Sequence, residues 1–360
     1  MLVAHLVATV PAPLDPDSAD APELLQQAGR RPLVQRVDTE LVAFDPDGDD
    51  AADAVRFPAP WPRRFGTATV SPDGGTAVFA GVHAVRCVDV TGATRWEVRH
   101  GCWGGECRLI HASFDEYAAD DEHAYPDSGS AAVSADGKLV RAHVRGPLAD
   151  DGEEADDDEL WLVIDAADGR VLGRAATGTV ASGSFHTPHP DPAQMGLSIG
   201  EGEEGSPSLW GRWDGRALSV RKIDDETILQ AVSPSGLHLL ATDVTQSALY
   251  LHATRDGAIL RDLDAEGTVP PYGTGGGRVY WDFDGAFADE DTVVAGTSES
   301  DAGQGAPRHW LVTAGDMTLL GEITYPFPVT GPVRGAGEGT WYTVAEDRTS
   351  IHLWRLEDAG

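Results

Sequence analysis

The sequence predicts an all-β chain folded as a closed β-propeller of four-stranded blades, with seven blades expected and six as the alternative. Three observations point there. Short β-branched and aromatic runs replace helical periodicity, a Ser-Pro-Asp-Gly-like turn recurs along the chain, and an Asp-Gly turn alternates with it.

The strands are read from the turns that bound them. Ser71-Pro72-Asp73-Gly74 lies between Ala68-Thr69-Val70 and Thr76-Ala77-Val78-Phe79-Ala80. Ser134-Ala135-Asp136-Gly137 and Ser233-Pro234-Ser235-Gly236 stand in the same setting. Looser versions occur at Asp191-Pro192-Ala193-Gln194, Ala288-Asp289-Glu290-Asp291 and Gly337-Glu338-Gly339. The second turn follows apolar runs at Asp45-Pro46-Asp47-Gly48, Asp89-Val90-Thr91-Gly92, Asp168-Gly169, Asp214-Gly215, Asp256-Gly257 and Gly315-Asp316. Gly, Asp and Pro in these places supply the dihedrals and side-chain acceptors that tight turns need. Glu23-Leu24-Leu25-Gln26-Gln27, after Pro22, is the one segment read as a short helix.

Together these give a unit of strand a, turn, strand b, loop, strand c, Asp-Gly turn and strand d. Successive first turns stand roughly 42 to 63 residues apart, a blade period with insertions. Six units are visible over 61–360, and residues 33–58 supply a further c–d pair. The chain 1–360 is read as one domain, with the strands of 1–60 closing the ring. In particular, Leu2 to Val10 can complete the last unit, which reaches Trp354 without a clear strand d. Closure removes the open edges that would invite aggregation.

The Ser-Pro-Asp-Gly turns and the segment Thr349-Ser350-Ile351-His352-Leu353-Trp354-Arg355 resemble WD40-type and TolB-like propeller repeats. In WD40 repeats the strand-c tryptophan is usually followed by Asp. Arg355 stands in that place here, and no Gly-His signature is evident. The resemblance covers most of the chain, implies the fold and transfers no functional residue.

Composition excludes several classes. The 59 acidic residues against 26 Lys and Arg give a net charge of −33, and no basic cluster offsets it, so no nucleic-acid partner is expected. Lys138 and Lys222 are the only lysines, a skew that GC-rich coding or a saline environment would also produce. Cys87, Cys102 and Cys107 are too few and odd in number for a disulfide scaffold. Met1 to Val10 lacks a basic n-region and meets Pro11 and Pro13, so it reads poorly as a signal peptide. No run is long enough to span a bilayer. The expectation is a cytoplasmic protein with no membrane partner.

In an up-and-down blade the a–b and c–d turns share one rim, and the b–c loops and d–a crossovers share the other. The long segments fall on the second rim: crossovers 100–128, 179–190 and 267–284, and b–c loops 145–159, 200–207 and 298–307. Long loops on a rigid scaffold are where binding concentrates. The candidate binding face, acidic overall, therefore comprises Trp103, His111, Asp115, Glu116, His123, His186, His189, Tyr272, Tyr280 and Trp281.

Candidate metal ligands are Cys102, Cys107, His111 and His123, a donor set suited to zinc. Cys-x4-Cys without a second pair equally suits a folded-over loop with Trp103 packed inside it. His186 and His189 are candidates for acid–base work or incidental crossover residues. The acidic run at 150–159 and Asp45-Pro46-Asp47-Gly48-Asp49-Asp50 suggest calcium but lack the positioned Gly and bidentate Glu of a calcium loop. Cys87 reads as a small buried hydrophobe. Gly273-Thr274-Gly275-Gly276-Gly277 lacks the lysine of a phosphate loop, and no nucleophile elbow is present.

The expected function is a non-catalytic interaction module, without cofactor, presenting the long-loop face to a protein partner. The alternative is a metal-assisted hydrolase or lyase using His111, His123, His186 and His189 at the channel mouth.

Overall fold

The computed structural model describes residues 2–25, 30–47, 54–152, 158–271, 277–299 and 307–356. Among them the strands form seven four-stranded antiparallel blades, of which blades 2 and 3, and blades 6 and 7, are hydrogen-bonded into two eight-stranded sheets. Strand β1 (Leu2–Pro11) belongs to the last blade. Blade 1 is β2 (Glu23–Leu24), β3 (Leu33–Arg36), β4 (Glu40–Phe44) and β5 (Val55–Pro58). Blade 2 is β6 (Gly66–Val70), β7 (Thr76–Gly81), β8 (Ala84–Asp89) and β9 (Thr94–Gly101). Blade 3 is β10 (Ser130–Val133), β11 (Leu139–Leu148), β12 (Glu159–Asp165) and β13 (Val171–Ala176). Blade 4 is β14 (Gly183–Pro188), β15 (Gln194–Gly200), β16 (Ser208–Trp213) and β17 (Leu218–Asp224). Blade 5 is β18 (Thr227–Val232), β19 (His238–Asp243), β20 (Ala248–Ala253) and β21 (Ile259–Asp264). Blade 6 is β22 (Val279–Phe287), β23 (Thr292–Glu299), β24 (Arg308–Thr313) and β25 (Leu319–Thr324). Blade 7 is β26 (Arg334–Gly337), β27 (Thr340–Val344), β28 (Ser350–Leu356) and β1.

The chain forms two compact units, Asp17–Asp225 with blades 1 to 4, and Met1–Pro16 with Glu226–Gly360, holding blades 5 to 7. In the first, the initial strands of successive blades stand side by side, β6 against β10 and β10 against β14. Trp161 and Val163 of blade 3 share a cluster with Met195, Leu197 and Leu209 of blade 4. In the second, β18 neighbours β22 and β22 neighbours β26, and Leu249 and Leu251 of blade 5 pack with Trp281 and Trp310 of blade 6. A sheet covered on both faces needs apolar residues at successive positions instead of alternation. Ala77, Val78, Phe79 and Ala80 in β7, and Trp161 to Ile164 in β12, are buried without a break. The fourth strands, such as β21 and β25, are largely exposed and polar.

The turns form as the sequence predicts. Ser134 Oγ donates to Asp136 Oδ1 at 2.8 Å and accepts from the Leu139 amide at 3.0 Å. Gly137 takes φ +73°, a left-handed conformation that favours glycine. Residues 33–58 hold strands b, c and d, more than the c–d pair expected. Glu23–Leu24 is strand β2, not a helix; Gln26 and Gln27 lie outside the described residues. Its helix-forming residues yield to pairing with Val34 and Leu33 of β3.

Strand β1 pairs antiparallel with β28 from Ala4↔Leu356 to Pro11↔Ser350, supplying the missing fourth strand of blade 7. Its Ala4 packs in the cluster of Trp341 and Trp354. Leu2 and Val3 also pair parallel with Ile323 and Thr324 of β25, tying blade 7 to blade 6.

In the unit Asp17–Asp225 the rims separate as deduced. On one, Ala166 of a c–d turn donates to Lys138 O of an a–b turn at 3.0 Å. On the other, Arg145 Nη1 reaches Cys102 O and Gly105 O of a crossover at 3.2 and 3.0 Å. There too the Ala181 and Val180 amides donate to Glu159 Oε1 and Glu201 Oε1. Two crossovers are shorter than expected, because β14 begins at Gly183 and β22 at Val279. No helix among the described residues is long and apolar enough to cross a membrane.

Two predictions follow from this packing. Deleting residues 2–11 leaves β28 an open edge and is expected to cost about 3 kcal/mol or more of stability. Thermal unfolding and size-exclusion elution measure it, and an unchanged midpoint and elution contradict the role of β1. The second concerns buried histidines. Burial pushes His83 down to about 3 and His309 down to about 4. The unfolded chain takes up these protons below about pH 6.5, where the native chain refuses them. Stability is therefore flat above that pH and falls below it, by up to about 1.4 kcal/mol per pH unit for each histidine. Urea midpoints at about pH 7, 6 and 5 test the slope, and His309→Phe is expected to reduce it.

Candidate metal centre

The crossover between β9 and β10 spans residues 102–129 with no strand and only two 3₁₀ turns, Phe114–Glu116 and Asp121–His123. It returns on itself and packs into the core of its unit, with Phe114 and Tyr117 against Phe65. Cys102, Trp103 and Tyr117 are buried, with His111 6% and His123 3% exposed. Backbone bonds fix the entry: Trp103 N donates to Val82 O at 2.9 Å, Cys102 N to Leu109 O at 3.1 Å and Cys107 N to Gly104 O at 2.9 Å. Tyr117 stacks on His123 at 5.0 Å between ring centroids and meets His111 at 4.9 Å. Its hydroxyl is 2.6 Å from His83 Nδ1 on the short loop between β7 and β8.

The folding brings four donors together. One ligand atom from each of Cys102, Cys107, His111 and His123 lies within 4.8 Å of the others. Cys102 Sγ is 3.2 Å from His123 Nε2, and Cys107 Sγ is 3.5 Å from His111 Nε2. Behind the rings, His111 Nδ1 is 3.1 Å from Glu116 Oε2, and His123 Nδ1 is 3.1 Å from Asp120 Oδ2. Each imidazole thus presents Nε2 to a sulfur and Nδ1 to a carboxylate. Asp120 also caps its 3₁₀ turn by accepting from the Glu122 amide, the main reason its pKa lies below the usual range.

The Gly104 amide donates to Cys102 Sγ at 3.2 Å. A Cβ at Gly104 would stand 2.3 Å from His123 Cδ2 and 3.1 Å from Cys102 Sγ, so only glycine fits between these two side chains. Burial, with Cys107 adding to it, pushes the Cys102 thiol up to about 12, against the pull of the Gly104 amide. Such a thiol is inert as a free nucleophile and ionises only beside a compensating cation.

The other candidate residues lie elsewhere. Asp115 and Glu116 are both exposed, and only Glu116 touches the cluster. His186 is in strand β14, not on a crossover: Trp161 Nε1 donates to its Nε2 at 3.0 Å, which leaves Nδ1 to donate to Ser130 Oγ at 3.0 Å. Ser184, His143 and Glu159 extend this network between blades 3 and 4. Burial favours a raised pKa for Glu159, but bonds from His143, Thr179 and the Ala181 amide hold it below its usual value. His189 lies in the a–b turn of blade 4, where Nδ1 accepts from the Asp191 amide at 2.9 Å and the ring meets Trp210 edge-on. Tyr280 and Trp281 are in β22, Trp281 wholly buried with Nε1 donating to Leu263 O. Tyr272 lies outside the described residues.

Of the calcium candidates, Asp47 pairs with Arg31 at 2.6 Å and Asp151 with Arg174 at 2.7 Å. Residues 48–50 and 153–157 lie outside the described residues. Cys87 is a buried free thiol whose pKa burial raises. Sequence reasoning missed Gly104, Tyr117 and Asp120. Only Asp120 left a signal, as an N-capping acid three residues before a histidine.

No protein-family model matches the sequence, and no curated protein matches it. Solved structures are similar in fold. A chain of a mitotic checkpoint complex aligns over 99% of this chain and 94% of its own length, with 12% identity and a TM-score of 0.56. The β-propeller domain of Cps50 (Swd1) from Myceliophteria thermophila aligns over 82% of this chain and 97% of its own, with 12% identity and a TM-score of 0.38. Four-stranded blades, their alternating turns and the first of these similarities agree on the fold alone: the chain is built as a β-propeller, and no more specific family is shown.

Proposed function

We propose that this propeller is a non-catalytic interaction module, and that its protein partner docks on the crossover of residues 102–129. One observation carries the reading. This crossover is anchored in the core of its unit through Cys102, Trp103 and Tyr117, yet turns large apolar side chains outward, with Leu109 64% and Tyr125 97% exposed. Exposed apolar residues on a well-supported loop are suited to become buried anchors at an interface. Asp115, Glu116, Asp121 and Glu122 lie between them in sequence and are exposed, so a partner carrying both apolar and basic groups fits the chemistry. A chain of similar fold belongs to a mitotic checkpoint complex, which agrees with this use of the scaffold.

The hydrolase reading draws less support. It needs His111, His123, His186 and His189 at one mouth. The one group of metal-ligating side chains among the described residues takes His111 and His123 with two cysteines, while both nitrogens of His186 are engaged between blades 3 and 4.

The test is a pull-down from native extract with the full chain, followed by measured affinity for the recovered partner. Leu109→Asp with Tyr125→Asp is expected to weaken binding at least about tenfold with no change in thermal midpoint. Equal affinity of the double variant and the parent overturns the assignment of this surface.

A further inference from the structure

We propose that Cys102, Cys107, His111 and His123 bind one zinc ion, which staples the crossover between blades 2 and 3 into its fold. The inference goes beyond the interaction reading and stands whether or not a partner docks there.

Four observations converge on it. The donor set, two sulfurs and two imidazole nitrogens, is one that zinc selects over harder cations. The spacing fits: zinc–sulfur and zinc–nitrogen bonds of about 2.3 and 2.0 Å imply tetrahedral edges of about 3.5 Å. The pairs Cys102–His123 and Cys107–His111 stand at 3.2 and 3.5 Å, and all four atoms lie within 4.8 Å. Both imidazoles are set for the same task, with Nε2 toward the sulfurs and Nδ1 held by Glu116 or Asp120. A carboxylate behind a ligating histidine fixes its tautomer and orientation. Finally, the Gly104 amide already serves Cys102 Sγ, and the absent Cβ at Gly104 leaves the room that sulfur and ring share.

The site is closed. Four protein donors complete a tetrahedron and leave no position for water or substrate, the arrangement of a structural ion, not a catalytic one. The crossover needs such a link. Nearly thirty residues run from β9 to β10 without a strand, and a loop of that length with a buried interior is uncommon without a tie. Charge balances simply: zinc arrives as the divalent ion, both thiols bind as thiolates and release their protons to water, both imidazoles bind neutral, and no oxidation state changes.

The experiment uses the full chain, purified without metal affinity steps. Plasma mass spectrometry is expected to find one zinc per chain. Protein unfolded with chelator and refolded with cobalt is expected to show the intense visible bands of tetrahedral cobalt and a thiolate-to-cobalt band in the near ultraviolet, bleached by one equivalent of zinc. Cys107→Ser is expected to lose the thiolate band in part. Glu116→Gln, which leaves all four ligands in place, is expected to weaken zinc about 10- to 100-fold in competition with a chromophoric chelator. Cys87→Ala serves as the control and is expected to keep full metal content. Refolded parent protein with no tetrahedral cobalt spectrum and no stoichiometric zinc overturns the proposal, as does a Cys102–Cys107 disulfide in chain isolated under reducing conditions. The parent spectrum decides the matter even if a variant fails to fold, and metal content is read without any partner present.

Discussion

Within each unit, the blades depend on having the faces of their sheets covered by the next blade. A four-stranded sheet alone would leave one face of β7 or β12 in water, and its unbroken apolar runs, Ala77 to Ala80 and Trp161 to Ile164, forbid that. Neighbouring blades supply the cover, which is why the clusters of buried residues span blades. The same demand explains β1. Blade 7 has only three strands from its own stretch of sequence, and the pairing of Leu2–Pro11 with β28 completes it. Polar groups caught between blades must then satisfy one another. The Trp161–His186–Ser130 chain with Ser184 and His143 Nδ1 does so between blades 3 and 4, while His143 Nε2 has only a 3.3 Å approach to Glu159 Oε2.

A scaffold fixed in this way frees its connections from carrying the fold, and one connection uses the freedom. The crossover of 102–129 has no ladder to join. It satisfies its backbone with turns and with bonds to Val82 and Arg145, and fills its interior with Trp103, Tyr117 and two histidines. Imidazole is a poor choice for a dry apolar core, and two imidazoles beside two sulfurs are a good set for a metal. Their meeting here, each ring backed by a carboxylate, is hard to attribute to packing alone.

Much of the fold was legible in the sequence because its signals are local. Ser71, Ser134 and Ser233 each begin a turn whose bonds close within five residues, and a pattern that short is written in adjacent letters. Blade 1 was less so: Glu23-Leu24-Leu25 has helical propensity, and only the distant strand β3 makes two of these residues a strand. The histidines divide by the same rule. His186 and His189 are close in sequence to a crossover, but the boundary at Gly183 puts one in a strand and the other on the opposite rim. The cysteine–histidine set was visible as residue types and obscured as spacing. Eleven residues separate His111 from His123, and two 3₁₀ turns, which no periodicity announces, fold that segment back so that the rings lie 5.4 Å apart.

The folded-back path and the exposed surface of this crossover bear on each other through entropy. Ordering a long loop at the moment of binding would consume much of what Leu109 and Tyr125 gain by burial. A loop whose path is already set by Gly104, the Tyr117–His123 stack and four converging donors has lost that freedom during folding. On the proposed reading, Leu109 and Tyr125 would meet a partner from a fixed position, and affinity would follow from the area and fit of a few side chains instead of from a contest with disorder. Rigid support beneath and apolar exposure above are thus two requirements that the proposed binding surface would place on one segment, and a propeller rim provides the base on which both can be met.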